Sequence, residues 1–411
     1  MKTAYQIFLT GLSIIILSWF LPWIYGLLFP VAASDPFVAY SPLTDSFIIS
    51  ESGGGDIYAV DKEGKRVGEI LSKEDRDSLL PHIYYTQLMA HDRMPDSVAG
   101  REVSVPVFKQ SQWVFSSSPR DLNKVMPEVN LMMESMPARI DLEDPDMVFR
   151  VKGNRVEFID IATNSVNADR SRRFTEIFND RGFSFPIKTL SGNITTRKPY
   201  DEGYLLVDKE GGIYHLKMQA GRPYMVKVSK PDSVVARNLF ILENVDRRQL
   251  GLVSDESDRL YVLEREGYRL KPLEVGDVDP SRHRISIVKN LFNWVVKISD
   301  NNGSRWIALD SDTYEPLATY SVGYPESLTE RVAGFIFPFE LSFTDVTDCL
   351  ARPRVEFFSW HVVVLNVVLS LILLWYYRSQ RQSLKIIASA VTLIFGIFSF
   401  IPFIIYKKLY L

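Results

Sequence analysis

Gly55-Asp56-Ile57-Tyr58-Ala59-Val60-Asp61 sets a short apolar run between turn-forming residues. Three stretches repeat it: Gly212-Ile213-Tyr214-His215-Leu216, Asp258-Arg259-Leu260-Tyr261-Val262-Leu263 and Ser304-Arg305-Trp306-Ile307-Ala308-Leu309-Asp310. Each follows a turn signal such as Gly53-Gly54-Gly55 or Asn301-Asn302-Gly303. β-Branched and aromatic residues between Gly, Asn and Asp clusters are the pattern of strands in hairpins. Fainter copies occur at Trp113-Val114-Phe115 and Val156-Glu157-Phe158-Ile159-Asp160. The six units then begin at 57, 113, 156, 213, 260 and 306. A four-stranded propeller blade occupies roughly 40–50 residues, so this spacing predicts a mainly β fold. We expect a degenerate six-bladed β-propeller over residues 35–354, closed radially so that few strand edges are exposed. Two β-sandwich domains built from similar hairpins are the alternative. Arg120–Met136 and Asp169–Asn179 alone have helix-like spacing, and we expect them to be helical insertions.

Outside this middle the composition changes. The chain has 411 residues, and all 50 of its acidic residues lie between Asp35 and Glu356. Six of the 47 basic residues fall outside that span: Lys2, Arg378, Arg381, Lys385, Lys407 and Lys408. The middle is therefore acidic, and it lacks the basic stripe that nucleic-acid binding requires. Ile7–Phe29, Phe357–Tyr377 and Ile386–Tyr406 contain no Asp, Glu, Lys or Arg. Each is long enough to cross the hydrocarbon, which takes about 20 helical residues. Trp19, Trp23, Trp360 and Trp375 stand near their ends, where aromatic belts form. Three transmembrane helices are thus expected: one anchor in residues 1–34 and a hairpin in 355–411. Val31-Ala32-Ala33 also resembles a signal-peptide cleavage site. Lys2 precedes the first helix, and Arg378, Arg381 and Lys385 crowd the short loop of the hairpin. The positive-inside rule then places the middle outside the cytoplasm, as in a bacterial inner-membrane protein facing the periplasm.

Phe174-Thr175-Glu176-Ile177-Phe178, Gly182-Phe183-Ser184-Phe185-Pro186 and Gly192-Asn193-Ile194-Thr195-Thr196-Arg197-Lys198-Pro199-Tyr200-Asp201-Glu202-Gly203-Tyr204 resemble an uncharacterised bacterial family of membrane-anchored proteins. The resemblance extends over the whole chain. Members are often encoded beside ABC-type transporter components, which implies a role as a transporter accessory.

Within that stretch Arg197, Lys198, Tyr200, Asp201 and Glu202 surround Pro199 and end at Gly203. Such a loop either presents Arg197 to a partner's carboxylate or phosphate, or forms a corner whose charges pair internally. Asn366, in the middle of an apolar span, needs a hydrogen-bond partner. Ser389, Thr392 or a helix of another subunit would serve.

No phosphate loop, nucleophile elbow or zinc spacing occurs in the chain. His82, His91 and Asp92 are a sparse metal set. The acids at 141–146 and 300–312 fit solvated turns better than calcium loops. The expectation is a non-catalytic accessory subunit with no cofactor and no bound metal. It would bind a partner or cargo outside the cytoplasm, beside a permease or other integral membrane protein in the bilayer. A ligand-binding sensor and a membrane-tethered hydrolase are the alternatives. Cys349, a single thiol, makes no internal disulfide.

Overall fold

A computed structural model describes residues 2–31, 35–124, 128–345 and 347–406. The possible cleavage residues Ala32 and Ala33, and Lys407 and Lys408, lie outside them. The chain divides into two compact units, Asp35–Gly323 and a second formed by Met1–Ser34 with Tyr324–Leu411. The sheet unit thus ends at Gly323, ahead of the boundary expected at Arg354.

The first unit is mainly β and is built from five antiparallel meanders. The first sheet contains Phe37–Ser41, Ser46–Ser50, Ile57–Val60 and Arg66–Val67. The second contains Asn130–Leu131, Met147–Lys152, Arg155–Asp160 and Ser165–Asn167. Thr189–Gly192, Tyr204–Val207, Ile213–Gln219 and Arg222–Lys227 make the third. Ala236–Ile241, Gln249–Asp255, Leu260–Glu264 and Leu270–Leu273 make the fourth. The fifth runs through Arg284–Lys289, Asn293–Ser299, Gly303–Asp310 and Pro316–Gly323. Five of the six repeat anchors are the third strand of their meander. The repeat therefore marks equivalent positions, because each sheet buries the same strand among neighbours.

The sixth anchor corrects the blade number. Trp113–Ser117 starts no sheet of its own. It pairs antiparallel with Arg284–Lys289 as a fifth strand of the last sheet, Trp113 opposite Lys289. Trp113 packs edge-on against Trp294, ring centroids 4.9 Å apart. That buried aromatic contact sets where this lone strand goes. Apolar clusters join the second sheet to the third, the third to the fourth, the fourth to the fifth and the fifth to the first. Among the described residues no such cluster joins the first sheet to the second, so the expected closed ring of six sheets is not formed.

The helix expected at 169–179 is present as Ala168–Asp180, capped by Asn167 and burying Phe174 and Phe178. Of the one expected at 120–136, the described residues contain only the turn Pro119–Leu122, and 125–127 lie outside them. Pro127 in that sequence lacks the amide a helix interior needs. Lys73–Leu79, Pro81–Ala90 and Val105–Ser111 are helices that the period did not reveal. All are short, and two carry a proline at the first or second position, Pro81 and Pro106.

In the second unit, Lys2–Leu28 is one helix running through Pro22. Its 24-residue segment Tyr5–Leu28 is long and apolar enough to span a membrane or to be a signal sequence. The two C-terminal spans are corrected. Phe357 lies in a strand opposite Phe339, and the helix that follows covers only Val362–Tyr376, 15 residues. At 1.5 Å per residue that is about 22 Å, short of the ~30 Å hydrocarbon core. The last span breaks at Gly396 into Gln382–Phe395 and Ile397–Ile405.

Asn366 explains the break. Its Nδ2 donates to the carbonyl of Leu393 at 3.1 Å. The helix interrupted at Gly396 leaves carbonyls without an intrahelical donor, and Asn366 supplies one. Asn366 therefore bonds neither Ser389 nor Thr392. The Ser389 hydroxyl instead donates to the Ser370 carbonyl, the Ser370 hydroxyl donates to the Ser389 carbonyl, and Thr392 accepts one from Ser399. Gly396 has φ +54°, and a Cβ there would overlap the Asn366 amide.

Gly396→Ala is expected to destabilise the detergent-solubilised chain by about 1–3 kcal/mol, the cost of a side chain in glycine-only backbone space. Gly26→Ala, where a Cβ meets nothing within 4 Å, is expected to leave the unfolding midpoint unchanged or raised. Equal losses in the two variants would refute this role for the break.

Candidate functional site

The loop Thr195–Gly203 joins the first two strands of the third sheet, and Gly203 sets how it returns. Gly203 has φ +64°, and a Cβ there would overlap the carbonyl oxygen of Leu216 on the adjacent strand. Only glycine lets the loop re-enter this close to its neighbour. The Gly203 amide donates to Oδ2 of Asp201 at 3.0 Å, which turns that carboxylate inward.

Lys198 is the next consequence. Its Nζ donates to Asp201 Oδ1 at 2.6 Å, to Glu243 Oε1 at 2.7 Å and to the Asn193 carbonyl at 2.6 Å. All three donors of the ammonium are thereby used. Glu243 arrives from the loop of the fourth sheet and also accepts the Glu202 amide at 2.7 Å. Burial pushes the Glu243 carboxyl above its ordinary range, against the pull of Lys198. Asp201 Oδ2 accepts the hydroxyl of Ser135 at 2.5 Å, from the loop of the second sheet.

A second group sits beside it. Glu202, 1% exposed, takes Lys217 Nζ at 2.8 Å and is ion-paired with Arg265. His215 lies against the same residue: Nε2 is 2.6 Å from the Glu202 carbonyl and Nδ1 is 2.9 Å from the Tyr268 hydroxyl. A carbonyl only accepts, so Nε2 carries the proton and Nδ1 accepts from Tyr268. Burial is the main cause that lowers His215 to about 4, so the ring is neutral at physiological pH. Three cations, Lys198, Lys217 and Arg265, meet three carboxylates, Asp201, Glu202 and Glu243. The paired set is electrically balanced, as buried charges must be.

The network continues along one end of the sheets. Glu134 of the second sheet's loop accepts the amides of Ala220 and Gly221 in the third, both at 2.8 Å. The Arg265 amide donates to the Arg248 carbonyl at 3.0 Å. Arg248 and Arg101 each reach Asp312 of the fifth sheet at 2.7 Å. Burial raises the Asp312 carboxyl, but the two guanidinium groups outweigh it and hold it below its ordinary range. Lys289 pairs with Asp246, and burial lowers its ammonium. Loops of four successive sheets are thus joined by ionised groups.

Of the five loop residues singled out by sequence, four are turned inward: Lys198, Tyr200, Asp201 and Glu202. Arg197 is exposed. Tyr200 donates to the Asn244 carbonyl at 2.8 Å, and the Arg247 guanidinium lies 4.1 Å over its ring. The seam therefore holds Arg247 in place on an exposed loop, near enough for a cation–π contact. Sequence spacing missed Glu243, Lys217 and Arg265, and it placed Asp312 among the turn acids at 300–312 without its arginine partners. The one available signal was Ile213–Gln219, where His215 and Lys217 alternate with apolar Tyr214, Leu216 and Met218. Both faces of that strand are buried, so a charged residue there requires a buried partner.

Of the acidic groups at 300–312, Asp300 and Asp310 cap turns, whereas Asp312 pairs with Arg101 and Arg248. Asp310 Oδ1 accepts the amides of Asp312 and Thr313, and Asp300 Oδ1 those of Asn302 and Gly303. His82 is buried against Phe292, whereas His91 is exposed at the end of the same helix. Among the described residues no three His, Cys, Asp or Glu side chains are placed to hold a metal ion.

Lys198→Met leaves Asp201 and Glu243 buried without their cation. The expected loss is about 3–5 kcal/mol in urea unfolding. Arg197→Ala, one residue away and exposed, should stay within about 0.5 kcal/mol. A small loss for Lys198→Met would show that the seam is not structural.

The histidine gives a pH dependence. Above pH 6.5 the His215 ring is neutral folded and unfolded, and its contribution is fully present. As pH falls from 6.5 towards 4, the unfolded chain takes up a proton that the folded site refuses. Stability therefore drops across that window, by roughly 3 kcal/mol for a shift of this size. Buried His82, also lowered to about 4, adds to the same slope. His215→Gln should flatten the dependence of the unfolding midpoint between pH 6.5 and 4 by about half, and an unchanged slope would exclude His215 as its source.

No curated protein matches the chain by sequence. Among solved structures it is similar to the Dos1 propeller at 12% identity and TM-score 0.28, covering 71% of this chain and 62% of that one. The WD40 domain of SCAP from fission yeast aligns at 9% identity and TM-score 0.27, covering 77% and 79%. The β-propeller domain of Cps50 (Swd1) from Myceliophteria thermophila aligns at 13% and 0.25, covering 54% and 61%. The chain thus spans less than two thirds of the first of these. A sequence family described as a domain of unknown function matches residues 37–309, within the sheet unit and not the terminal helices. By that match the chain belongs to the DUF4857 family.

Proposed function

We propose that this protein is a membrane-anchored, non-catalytic accessory subunit whose sheet unit binds a partner or cargo outside the cytoplasm. In this reading the five meanders are blades of a degenerate propeller, and the partner is an integral membrane protein such as an ABC-type permease. The compartment is the bacterial inner membrane, with the sheet unit in the periplasm.

One observation carries the reading. The N-terminal helix is apolar, yet Ile7, Phe8, Ile15 and Trp23 are 51–69% exposed. Apolar surface of this extent needs a bilayer or another protein. The same helix is fastened to the C-terminal part of its unit, which supports a retained anchor over a discarded signal. Tyr25 donates to the Thr329 carbonyl at 3.0 Å and packs edge-on against Phe337, centroids 5.6 Å apart. In the sheet unit the buried ionic groups are engaged with one another, as expected of a scaffold. Arg197 and Arg247 then remain as exposed cations at the loop end, suited to acidic groups of a partner.

The test is expression of the tagged chain in bacteria, followed by alkaline washing of membranes and affinity recovery in mild detergent. The chain should stay with the membranes, and an alkaline phosphatase reporter inserted at Gly153 should be active. Recovery of an integral membrane partner should fall at least tenfold in Arg197→Glu/Arg247→Glu, with the melting temperature unchanged. An inactive phosphatase on a chain that stays with the membranes, or recovery indifferent to both arginines, would reject the proposal.

A further inference from the structure

We infer that the helical unit contains a binding site for one acyl chain of a membrane lipid. The inference rests on the membrane-anchored reading above and goes beyond it. The site is a cleft of about 790 Å³ within this unit. Ile14 of the N-terminal helix, Leu341 and Val355 of the paired strands Phe339–Ser342 and Arg354–Phe357, and Val363 and Leu393 of the C-terminal helices form its walls. Ser18, Ser359 and Asn366 are its polar residues, and Asn366 gives its amide N–H to Leu393. Most of the lining is apolar, which suits hydrocarbon better than water, since each water needs two to four polar partners.

The surroundings of the cleft indicate hydrocarbon. Residues that line it also present apolar surface outward: Phe357 is 80% exposed, Trp360 74% and Ile394 65%. An exposed tryptophan beside phenylalanine is the composition of the bilayer interface. Side chains that line a cleft and also face lipid give a lipid chain lateral access.

Size separates the two apolar occupants a bilayer offers. An α-helix with side chains is a cylinder about 10–12 Å across. The cleft volume would accept roughly 7–10 Å of it, or about five to seven residues, whereas a span needs about 20. A partner's transmembrane helix would therefore lie largely outside the cleft and leave its interior unfilled. An acyl chain, thin and flexible, enters without unfolding a helix, and each buried CH₂ contributes favourably.

The experiment uses the full chain in phosphatidylethanolamine–phosphatidylglycerol nanodiscs containing a phospholipid with a diazirine in its acyl chain. After illumination, adducts are mapped by peptide mass spectrometry. Labelling is expected on the inner wall, at Leu341, Val355 and Asn366, and on the outward helix face at Val364 and Leu371. Leu341→Trp, which fills the cleft, should cut inner-wall labelling at least fivefold and leave the outward face unchanged. Val355→Trp provides the same test should the first variant not fold. Outward labelling without inner labelling, or inner labelling indifferent to both fillings, overturns the lipid site while leaving the anchor intact. Absence of labelling on either face overturns both readings. A photoreactive amino acid placed at Leu341 in cell membranes should give a lipid adduct, and an adduct to another polypeptide would assign the cleft to a protein instead.

Discussion

The sharing of Lys198 between Asp201 and Glu243 is the contact around which the sheet unit is organised. Three groups that each prefer water are held together in a place that nearly excludes it. Their attraction offsets desolvation only because every donor of the ammonium has an acceptor at hydrogen-bond distance. Ser135 and Glu202 extend the contact to the second sheet and to the neighbouring ion pairs. Apolar clusters supply the bulk of the packing between sheets, but they are non-directional. The charges fix which loop meets which, because a displaced carboxylate would be left unpaired.

This division of labour suits a scaffold. A β meander has an apolar face that tolerates sliding, and register errors are its characteristic failure. Ionic links at one end resist such sliding without adding a disulfide, for which the chain has only one cysteine. They also orient the exposed side chains that border them, Arg247 over Tyr200 foremost. The helical unit follows a similar economy within its own packing. One buried amide, Asn366, serves a carbonyl released by a break in a neighbouring helix. That arrangement turns a long apolar segment into two short ones and gives the cleft one of its walls.

The sequence was informative wherever structure is local. Strand anchors at 57, 156, 213, 260 and 306 fall on equivalent strands because turn residues and alternating apolar residues act over a few positions. Asp169–Asn179 showed its helix for the same reason, with Phe174 and Phe178 one turn apart. The acidic groups near Asp300 and Asp310 were legible as turns, since an Asp side chain reaches amides two and three residues ahead.

Tertiary structure decided the rest. Trp113 belongs to a strand by its own sequence, but its sheet depends on Trp294, far along the chain. Lys198 and Arg197 are adjacent cations that no local rule separates, and Glu243, 45 residues from Lys198, draws one inward and leaves the other in water. The apolar runs from Phe357 and Ile386 met the length needed for a span, yet pairing of Phe357 with Phe339 and the contact of Asn366 with Gly396 shortened both helices. Sequence thus determined the elements, the apolar ends and the composition of the charged loop. Which charges became buried, which sheet received the sixth strand and where the apolar helices ended depended on long-range contacts, whose geometry no short stretch of sequence contains.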